Sequence, residues 1–312
     1  MLDALPKAAF GALAGSSTIK ALASRYGMRR PESFARRFIA GEHLEDGIEA
    51  ARGLAAAGTR VTLDYLGESV TSRESASAAT ATYIDLIRHA VDAGIEVNLS
   101  LKLTQLGLDI DPATSIDNLR RVLDAAAAAN GFVRVDMENS PYTDATINAI
   151  ETVWSIGHHN VGTVIQAYLK RSPHDIRRLS QLGSRVRLVK GAYREPSSVA
   201  LQRKADVDAA FIDLMKELMV DGTYPAIATH DPAMIAATKE FATARGIGMD
   251  RFEFQMLYGV RRDLQADLMA AGYTVRVYVP FGREWFPYFM RRLGERPANV
   301  GFVIRAVLQE RV

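Results

Sequence analysis

The sequence predicts an α/β protein that forms a closed (β/α)8 barrel of the TIM type, with helices before the barrel and a last helix folded over its mouth. The first observation is an alternation after residue 58, where short runs rich in β-branched and aromatic residues recur eight times between segments of helical periodicity. The second is topological, because strands joined through a single helix pair in parallel. Eight such units over about 250 residues are what a closed barrel requires.

The predicted strands and helices follow one another along the whole chain. The strands are expected at residues 60–67, 96–103, 132–138, 162–169, 185–193, 225–230, 251–257 and 274–280. The helices are expected at residues 75–93, 116–129, 144–156, 207–219, 232–244, 261–271, 285–293 and 300–308, after N-terminal ones at 19–26, 34–39 and 44–57. Because no strand pattern precedes residue 59, residues 1–58 are predicted to form an N-terminal helical segment and residues 59–312 the barrel.

An open, doubly wound sheet is the alternative arrangement of alternating strands and helices. Such a sheet would carry a glycine-rich G-x-G-x-x-G turn after its first strand. This chain has only Gly67 at that place, so the closed barrel is favoured.

The composition excludes several classes of protein. The chain has 312 residues, 48% of them hydrophobic and 24% charged, which is typical of a globular protein. A net charge of +2 argues against a nucleic-acid-binding protein. The absence of cysteine excludes disulfides, thiol catalysis and cysteine-ligated metal centres, and it fits a cytoplasmic protein. No apolar run approaches the ~18 residues that span a bilayer, and Asp3 argues against a signal peptide.

Polar side chains cluster at the carboxyl ends of the predicted strands, where a barrel builds its active site. In chain order they are Asp64, Lys102, Asp136, Glu138, Gln166, Arg187, Lys190, Thr229, His230, Gln255 and Tyr278. Charges inside a parallel strand are costly unless they pair or bind a ligand. A single pair such as Lys102–Asp136 or Arg187–Asp136 is compatible with a purely structural role. The whole set predicts a functional site at this end of the barrel.

The segment after the last predicted strand carries a second polar cluster. On a helix, Tyr288, Arg291, Arg292 and Glu295 are spaced i, i+3, i+4 and i+7 and therefore share one face. Arginine forks bind carboxylate or phosphate groups through paired hydrogen bonds. We expect Glu295 to fix one guanidinium group while the other binds a ligand at the barrel mouth. A charged helix face exposed to solvent is the alternative.

A metal site has little support in the sequence. Metal-dependent barrels need at least two carboxylates or histidines that converge at strand ends. The candidates are Asp136, Glu138 and His230, and they lack a close ligand spacing. The sequence therefore predicts a site without a metal.

Eight motifs occur in a fixed order, nearly all at predicted strand ends. They are Ser100-Leu-Lys102-Leu-Thr104, Val135-Asp136-Met137-Glu138, Val164-Ile-Gln166-Ala-Tyr168-Leu-Lys170-Arg171, Arg187-Leu-Val189-Lys190-Gly191-Ala192-Tyr193, Ala228-Thr229-His230-Asp231, Phe254-Gln255-Met256-Leu257-Tyr258-Gly259, Arg276-Val-Tyr278-Val-Pro280-Phe-Gly282 and Tyr288-x-x-Arg291-Arg292-x-x-Glu295. Over residues 61–312 the chain resembles the proline dehydrogenases, both the single-function bacterial enzymes and the flavin domain of proline utilization A. One departure is Asp231, where family members often have asparagine.

The resemblance implies an enzyme that uses flavin adenine dinucleotide (FAD). It would oxidise L-proline to (S)-1-pyrroline-5-carboxylate and pass the electrons to a membrane quinone, which is the first step of proline degradation to glutamate. The implied location is the cytoplasm, with peripheral contact to the inner face of the cell membrane. Nucleic acid is not an expected partner.

The resemblance also implies roles for individual residues. Asp136, Arg187 and Tyr278 would be catalytic. Our own hypothesis is that Asp136 orients the cationic groups rather than acting as the base. Proline would be bound by Lys102, Leu257, Tyr288, Arg291, Arg292 and Glu295. FAD would be bound by Met137, Gln166, Arg187, Val189, Lys190, Gly191, Ala192, Tyr193, Thr229, His230 and Gln255.

Two other functions are compatible with a barrel of this kind. A phosphate-binding aldolase or isomerase would use Lys102 or Lys190 as a Schiff-base amine and the Arg291–Arg292 pair to hold phosphate. It would be colourless, whereas a flavoprotein is yellow. A barrel that serves only as a binding module would have few polar residues at its strand ends, which the sequence contradicts.

Overall fold

The computed structural model of the chain describes residue 28 and residues 33–295. Its centre is a closed barrel of eight parallel strands in the order β1 to β8, with β8 hydrogen-bonded to β1. The strands are β1 (Arg60–Tyr65), β2 (Asn98–Leu101), β3 (Phe132–Val135), β4 (Val161–Gln166), β5 (Arg185–Val189), β6 (Ala226–Ala228), β7 (Glu253–Leu257) and β8 (Val275–Phe281). The predicted (β/α)8 barrel is therefore confirmed.

Helices surround the barrel and connect its strands. They are α1 (Leu44–Ala56), α2 (Arg73–Asp92), α3 (Pro112–Ala128), α4 (Thr143–Ser155), α5 (Ser172–Leu182), α6 (Lys204–Asp221), α7 (Pro232–Arg245), α8 (Arg262–Ala270) and α9 (Trp285–Glu295). Short 3-10 helices lie at Phe34–Arg37, Ser140–Tyr142 and Met249–Arg251. None of these helices is long and apolar enough to cross a membrane.

Most helix boundaries agree with the predictions, with two differences. Helix α5 was not predicted, because its apolar stripe consists only of Ile176, Leu179 and Leu182 among eleven residues. The predicted N-terminal helix at 34–39 is a 3-10 helix over Phe34–Arg37. The predicted helices at 19–26 and 300–308 lie outside the described residues.

Several strands end earlier than the sequence predicted. Strand β3 stops at Val135 instead of residue 138, and β5 stops at Val189 instead of residue 193. The hydrogen-bond ladder ends where the neighbouring strand has turned into its loop, so the following polar residues begin the loops between strands and helices. Lys102, Asp136 and Lys190 are therefore the first residues of loops at the barrel mouth rather than the last residues of strands.

Helix α1, near the start of the described chain, lies at the junction of β8 and β1. Helix α1 packs its buried Ala51 and its partly buried Ile48 on the barrel wall, where Gly47 approaches the ring of Phe281 closely. The last helix, α9, does not occupy that flank. Its aromatic residues form a separate apolar cluster with Leu66, which follows β1, and with Ile39. Helix α9 consequently folds over the barrel mouth, as predicted.

Two glycine substitutions should change stability in opposite directions. Gly162 on β4 lies beside Arg185 of β5, and an added Cβ would overlap the carbonyl oxygen of Arg185 and lie 2.9 Å from the Phe132 ring. We expect Gly162→Ala to lower the free energy of unfolding by about 1–3 kcal/mol, as overpacking does. Gly53 is exposed on α1 with no atom within 4 Å of an added Cβ. Gly53→Ala should therefore raise this free energy by about 0.5–1 kcal/mol.

Denaturant titration of the parent and both variants measures these changes. The two changes have opposite signs for local reasons. The methyl group added at Gly162 meets a fixed backbone oxygen, whereas the one added at Gly53 restricts the backbone of the unfolded chain and meets no other atom. A Gly162→Ala variant as stable as the parent would contradict the observed β4–β5 spacing.

Candidate functional site

Asp136 lies at the centre of the barrel mouth and joins side chains from three strands. Its Oδ1 accepts hydrogen bonds from Arg187 Nη1 and Ser100 Oγ, each at 2.8 Å. Its Oδ2 accepts one from the Tyr278 hydroxyl at 2.8 Å and lies 3.9 Å from Lys102 Nζ. The structure thus brings Asp136, Arg187 and Tyr278 together and contains both ion pairs that the sequence suggested.

Lys102 lies between two carboxylates in this cluster. Its Nζ is 3.8 Å from Asp64 Oδ1 and 3.9 Å from Asp136 Oδ2, and its side chain is almost fully buried. Burial alone lowers the pKa of Lys102, but the charges of Asp64 and Asp136 raise it above its ordinary value. Lys102 is therefore a fixed positive charge at the mouth.

Asp64 is the most buried carboxyl group at the mouth. Its side chain is completely inaccessible, and its Oδ1 forms the ion pair with Lys102. Burial raises the pKa of Asp64, while the nearby Lys102 lowers it. The sequence placed Asp64 at a strand end without giving it a role, and the structure makes it a neighbour of Lys102.

Arg291 extends from α9 toward the same mouth. Its Nη1 and Nη2 donate to the two oxygens of Glu68, at 2.9 and 3.2 Å. Burial raises the pKa of Glu68, but the Arg291 guanidinium lowers it below its ordinary value. The positive charge of Arg291 is also close enough to oppose the protonation of Lys102 and the neutral form of Tyr193. Arg291 and Lys102 consequently belong to one site.

Sequence reasoning did not identify Glu68. It stands in the loop after β1, three residues beyond Tyr65. A charged residue so soon after a strand end was the feature of the sequence that could have identified it. The predicted carboxylate partner for an arginine of α9 was Glu295, whose side chain lies outside the described residues. The role of Glu295 therefore stays a prediction.

The other residues of the α9 face contact one another. The Arg292 guanidinium lies 5.3 Å from the centre of the Tyr288 ring, a cation–π geometry. Tyr288 is buried in the apolar cluster that holds α9 over the mouth. The structure thus places Tyr288, Arg291 and Arg292 on the described part of the helix above the barrel.

A second part of the mouth lies around the ends of β3, β4 and β5. Met137 packs with Val164 and Val189 in a small apolar cluster. Gln166 is buried and donates its Nε2 to the carbonyl of Glu138 at 2.8 Å. Burial raises the pKa of Glu138, and the Thr104 hydroxyl, which donates to it at 2.7 Å, lowers that pKa.

The loop after β5 contains the residues expected to bind the cofactor. Gly191 has φ +120°, and an added Cβ would overlap the ring of Tyr168, so only glycine fits there. Ala192 is exposed and Tyr193 half-buried, and burial raises the pKa of Tyr193 to about 12. This loop leaves backbone and an aromatic side chain available beside the mouth.

Lys190, Thr229 and His230 make contacts that the sequence did not predict. Lys190 Nζ donates to Asp208 at 2.5 Å and to Asp231 at 2.6 Å. Thr229 accepts the backbone N–H of Asp231 at 3.1 Å, and His230 Nε2 accepts that of Leu257 at 2.9 Å. The Nε2 of His230 is thus an acceptor, and a neutral His230 carries its proton on Nδ1.

Metal ligands do not cluster in the part of the chain that the structure describes. Within residues 33–295 and at residue 28, no three His, Asp or Glu side chains are placed to hold one ion. Asp136, Glu138 and His230 make the separate protein contacts described above.

Comparison with known proteins identifies relatives over most of the chain. A model of the proline dehydrogenase family matches residues 48–305. The chain is 43% identical over 281 residues to the proline dehydrogenase of Deinococcus radiodurans, covering 89% of this chain and 91% of that protein. It is 39% identical over 298 residues to proline dehydrogenase 1 of Bacillus subtilis, covering 96% and 97%. The bifunctional protein PutA of Escherichia coli is 28% identical, with 86% of this chain and 24% of PutA covered.

Solved structures of proline utilization A have the same fold. The protein from Bdellovibrio bacteriovorus, inactivated by N-propargylglycine, aligns with a TM-score of 0.79 and 24% identity over 95% of this chain and 39% of that one. A variant from Bradyrhizobium japonicum aligns with a TM-score of 0.72 over 86% of this chain and 31% of that one. This chain thus spans less than half of those longer proteins. Given the family match and two relatives of nearly equal length, the chain belongs to the proline dehydrogenase family, whose reaction is the first step of proline catabolism.

Proposed function

We propose that this protein is an FAD-dependent proline dehydrogenase that converts L-proline to (S)-1-pyrroline-5-carboxylate and passes the electrons to a quinone. The observation that carries the proposal is the meeting of Lys102, Arg187 and Arg291 at one barrel mouth, although they are far apart in sequence. Three positive charges at one mouth suit a small anionic substrate next to an electron acceptor.

The substrate carboxylate would be held by Lys102, Arg291 and Arg292. A carboxylate is the one strong binding group of proline, and charge-assisted hydrogen bonds from arginine forks fix both its position and its direction. Arg291 uses its two Nη atoms for Glu68, which leaves its other N–H groups for the substrate. The apolar surfaces of Leu257, Tyr278 and Tyr288 would enclose the pyrrolidine ring, and fixing the ring in this way lowers the entropic barrier to reaction.

The residues at the mouth fit a flavin. Arg187 Nη2 is buried and has no hydrogen-bond partner among the described residues. Because an unpaired buried donor is costly, it indicates a ligand acceptor at this point. The absence of a side chain at Gly191, whose φ is +120°, suits close contact of the backbone with a large planar group.

The residues proposed to hold FAD lie on strands β4, β5 and β7 or follow strands β3, β5 and β6. They are Met137, Gln166, Arg187, Val189, Lys190, Gly191, Ala192, Tyr193, Thr229, His230 and Gln255. The Lys190 ammonium group is bound by Asp208 and Asp231, so its contribution to FAD binding would come from its backbone and the stem of its side chain.

The chain's own part in the chemistry is to bind, orient and stabilise. When bound, the flavin supplies the two-electron acceptor that the protein lacks. Arg187 would hold a buried positive charge beside the electron acceptor, where it would stabilise developing negative charge and so favour the transition state. Asp136 holds Arg187, Tyr278 and Lys102 in fixed directions through its two oxygens and acts as an orienting group.

The lysines are poorly suited to the alternative Schiff-base chemistry. A Schiff-base lysine must be neutral to attack a carbonyl carbon. Lys102 is kept charged by Asp64 and Asp136, and Lys190 is bound to two carboxylates. These contacts favour substrate binding over covalent catalysis at both positions.

The electron acceptor and the location of the protein rest on the family resemblance. We propose a membrane quinone as acceptor, and a cytoplasmic protein that touches the inner face of the membrane at its periphery.

The proposed reaction can be tested on the purified protein. The cofactor released by denaturation should be FAD rather than FMN by chromatography. Incubation with L-proline and a soluble quinone should form one equivalent of 1-pyrroline-5-carboxylate, trapped as its o-aminobenzaldehyde adduct, for each quinone reduced. A protein without flavin, or one that consumes no proline, would refute the proposal. Product formation without quinone reduction would refute only the acceptor.

The Glu68–Arg291 ion pair should influence substrate affinity. Glutamine cannot accept both Nη hydrogen bonds, so Glu68→Gln should leave Arg291 less well oriented. Because this pair is partly exposed, we expect a moderate effect, a rise in the KM for proline of about three- to tenfold with kcat within about twofold. Steady-state kinetics of Glu68→Gln and of the exposed control Glu74→Gln measure it. An unchanged KM would contradict an orienting role for Glu68, and a lower KM would show that Glu68 competes with proline for Arg291.

A further inference from the structure

A continuous row of hydrogen bonds crosses the barrel interior beneath the site. Arg276 Nε donates to both oxygens of Glu253, at 2.9 and 3.1 Å. Gln255 Nε2 donates to Glu253 Oε1 at 2.5 Å, and Gln255 Oε1 accepts from Arg187 Nε at 2.5 Å. The row therefore leads from the lower end of β8, through β7, to the guanidinium at the mouth.

The lower end of this row is firmly anchored. Arg276 also donates to the carboxylate of Glu96, at 3.1 and 3.3 Å, and to the carbonyl of Val61 at 2.9 Å. Glu253 and Arg276 are each only 3% exposed. A buried ion pair costs desolvation, and an apolar pair would often be as stable. Packing alone therefore does not explain the charged groups at this position.

The hydrogen-bonding capacity of Glu253 fixes the direction of the Gln255 amide. Burial raises the pKa of Glu253, but Arg276 lowers it below its ordinary value, so the group is ionised and can only accept. The NH2 group of Gln255 must therefore face Glu253, and its carbonyl oxygen must face Arg187. A reversed amide would set two donors against each other at Arg187 and two acceptors against each other at Glu253.

The Gln255 carbonyl in turn fixes the rotation of Arg187. Arg187 Nε is bound by Gln255, and Nη1 by Asp136 and Ser100. Nη2 is the remaining nitrogen, and it is buried without a hydrogen-bond partner among residues that the structure describes. The protein therefore occupies Nε and Nη1 of the guanidinium group, and Nη2 is the donor that remains for a ligand.

We propose that Glu253 is a positioning residue for proline oxidation: it sets the direction of the Gln255 amide, which holds Arg187 so that Nη2 is the donor presented to the flavin. This inference rests on the proposed function and extends it to a residue at the opposite end of the barrel. Glu253 itself touches neither substrate nor cofactor. If the Glu253–Arg276 pair only supported the fold, Arg187 would be unaffected by its loss beyond a general fall in stability.

The test compares Glu253→Met with Glu253→Gln in the flavin-loaded enzyme. Methionine removes the acceptor and frees the Gln255 amide, while Arg276 keeps Glu96 and the Val61 carbonyl. We expect Glu253→Met to lower kcat about tenfold or more, with the KM for proline within about twofold, because the substrate carboxylate is bound elsewhere. The midpoint potential of the bound flavin should fall as well. Glu253→Gln keeps an acceptor oxygen and should restore most of both values.

Asp175→Asn is the matched control for lost stability. Asp175 is a carboxylate with a 1% exposed side chain that pairs with Arg171 on the outside of the barrel. The Asp175→Asn variant should have a lower free energy of unfolding than the parent but the same kcat and flavin potential. If Glu253→Met does not fold, Gln255→Met removes the next acceptor in the row, the carbonyl oxygen that binds Arg187 Nε, and should give the same falls. If the methionine variant that folds has the same kcat and the same flavin midpoint potential as the parent enzyme, the proposal is overturned.

A readout that does not depend on turnover separates this inference from the proposed function. The Nε–H signal of Arg187 in a ¹⁵N correlation spectrum, assigned by its loss in Arg187→Met, reports its hydrogen bond to Gln255. It should shift in Glu253→Met and stay near the parental position in Glu253→Gln. An unshifted signal would overturn the positioning role. A parent enzyme that fails to oxidise proline would instead refute the proposed function, whatever this signal does.

Discussion

Replacement of Arg187 by methionine is expected to lower kcat for proline oxidation about 10²–10³-fold, the usual effect of removing one preorganised donor from a transition state. Arg187 is buried, is fixed by Gln255, Ser100 and Asp136, and keeps Nη2 unpaired among the described residues. Methionine retains much of the volume but removes the charge and the donors. The loss should therefore appear in the chemical step.

Rapid-mixing measurement of flavin reduction by proline isolates that step from quinone reduction. Arg185→Met is the matched control, because Arg185 is an exposed residue on the same strand at the other end of the barrel, where it stacks on Phe132 and Tyr224. It should reduce flavin at the parental rate. An Arg187→Met enzyme within about threefold of the parent would contradict the role of Arg187 in the transition state.

Replacement of Arg291 by methionine should have its largest effect on substrate binding. We expect the KM for proline to rise about a hundredfold, since losing a charge-assisted contact to a carboxylate costs on the order of 2–5 kcal/mol. Arg291 is bound to Glu68 and lies near Lys102. Arg283→Met, at an exposed position just before α9, is the control and should leave the KM unchanged.

Pyrrolidine, which has the ring of proline but no carboxylate, tests whether Arg291 acts through that group. The ratio of kcat/KM for proline to that for pyrrolidine should collapse in Arg291→Met, because only proline loses a contact. If both substrates lose activity in parallel, Arg291 supports α9 and does not bind the carboxylate.

Much of the fold could be predicted from the sequence because a parallel barrel repeats one local pattern. Eight apolar runs and the helices between them specified the strand order, and the carboxyl ends of those strands had to meet at one mouth. Asp136, Arg187 and Tyr278 could be grouped on this ground alone, and they share hydrogen bonds in the structure. Helix α5 was not predicted because most of its residues are polar.

Contacts across the barrel interior could not be predicted in the same way. Glu253 and Arg276 stand near the amino ends of β7 and β8, and their pairing depends on strand register rather than on any motif. The Glu68–Arg291 pair joins residues 223 positions apart through the placement of α9. The sequence likewise does not show that α1, rather than another helix, packs beside β8 and β1.

The measurement that bears most directly on the central claim is the visible absorption spectrum of the purified protein, taken before and after anaerobic addition of L-proline. A binding site for an amino acid carboxylate beside a flavin predicts a yellow protein whose absorption maximum bleaches on proline addition, with Arg291→Met requiring far more proline for the same change. A colourless protein, or a yellow one whose spectrum proline leaves unaltered, would contradict it.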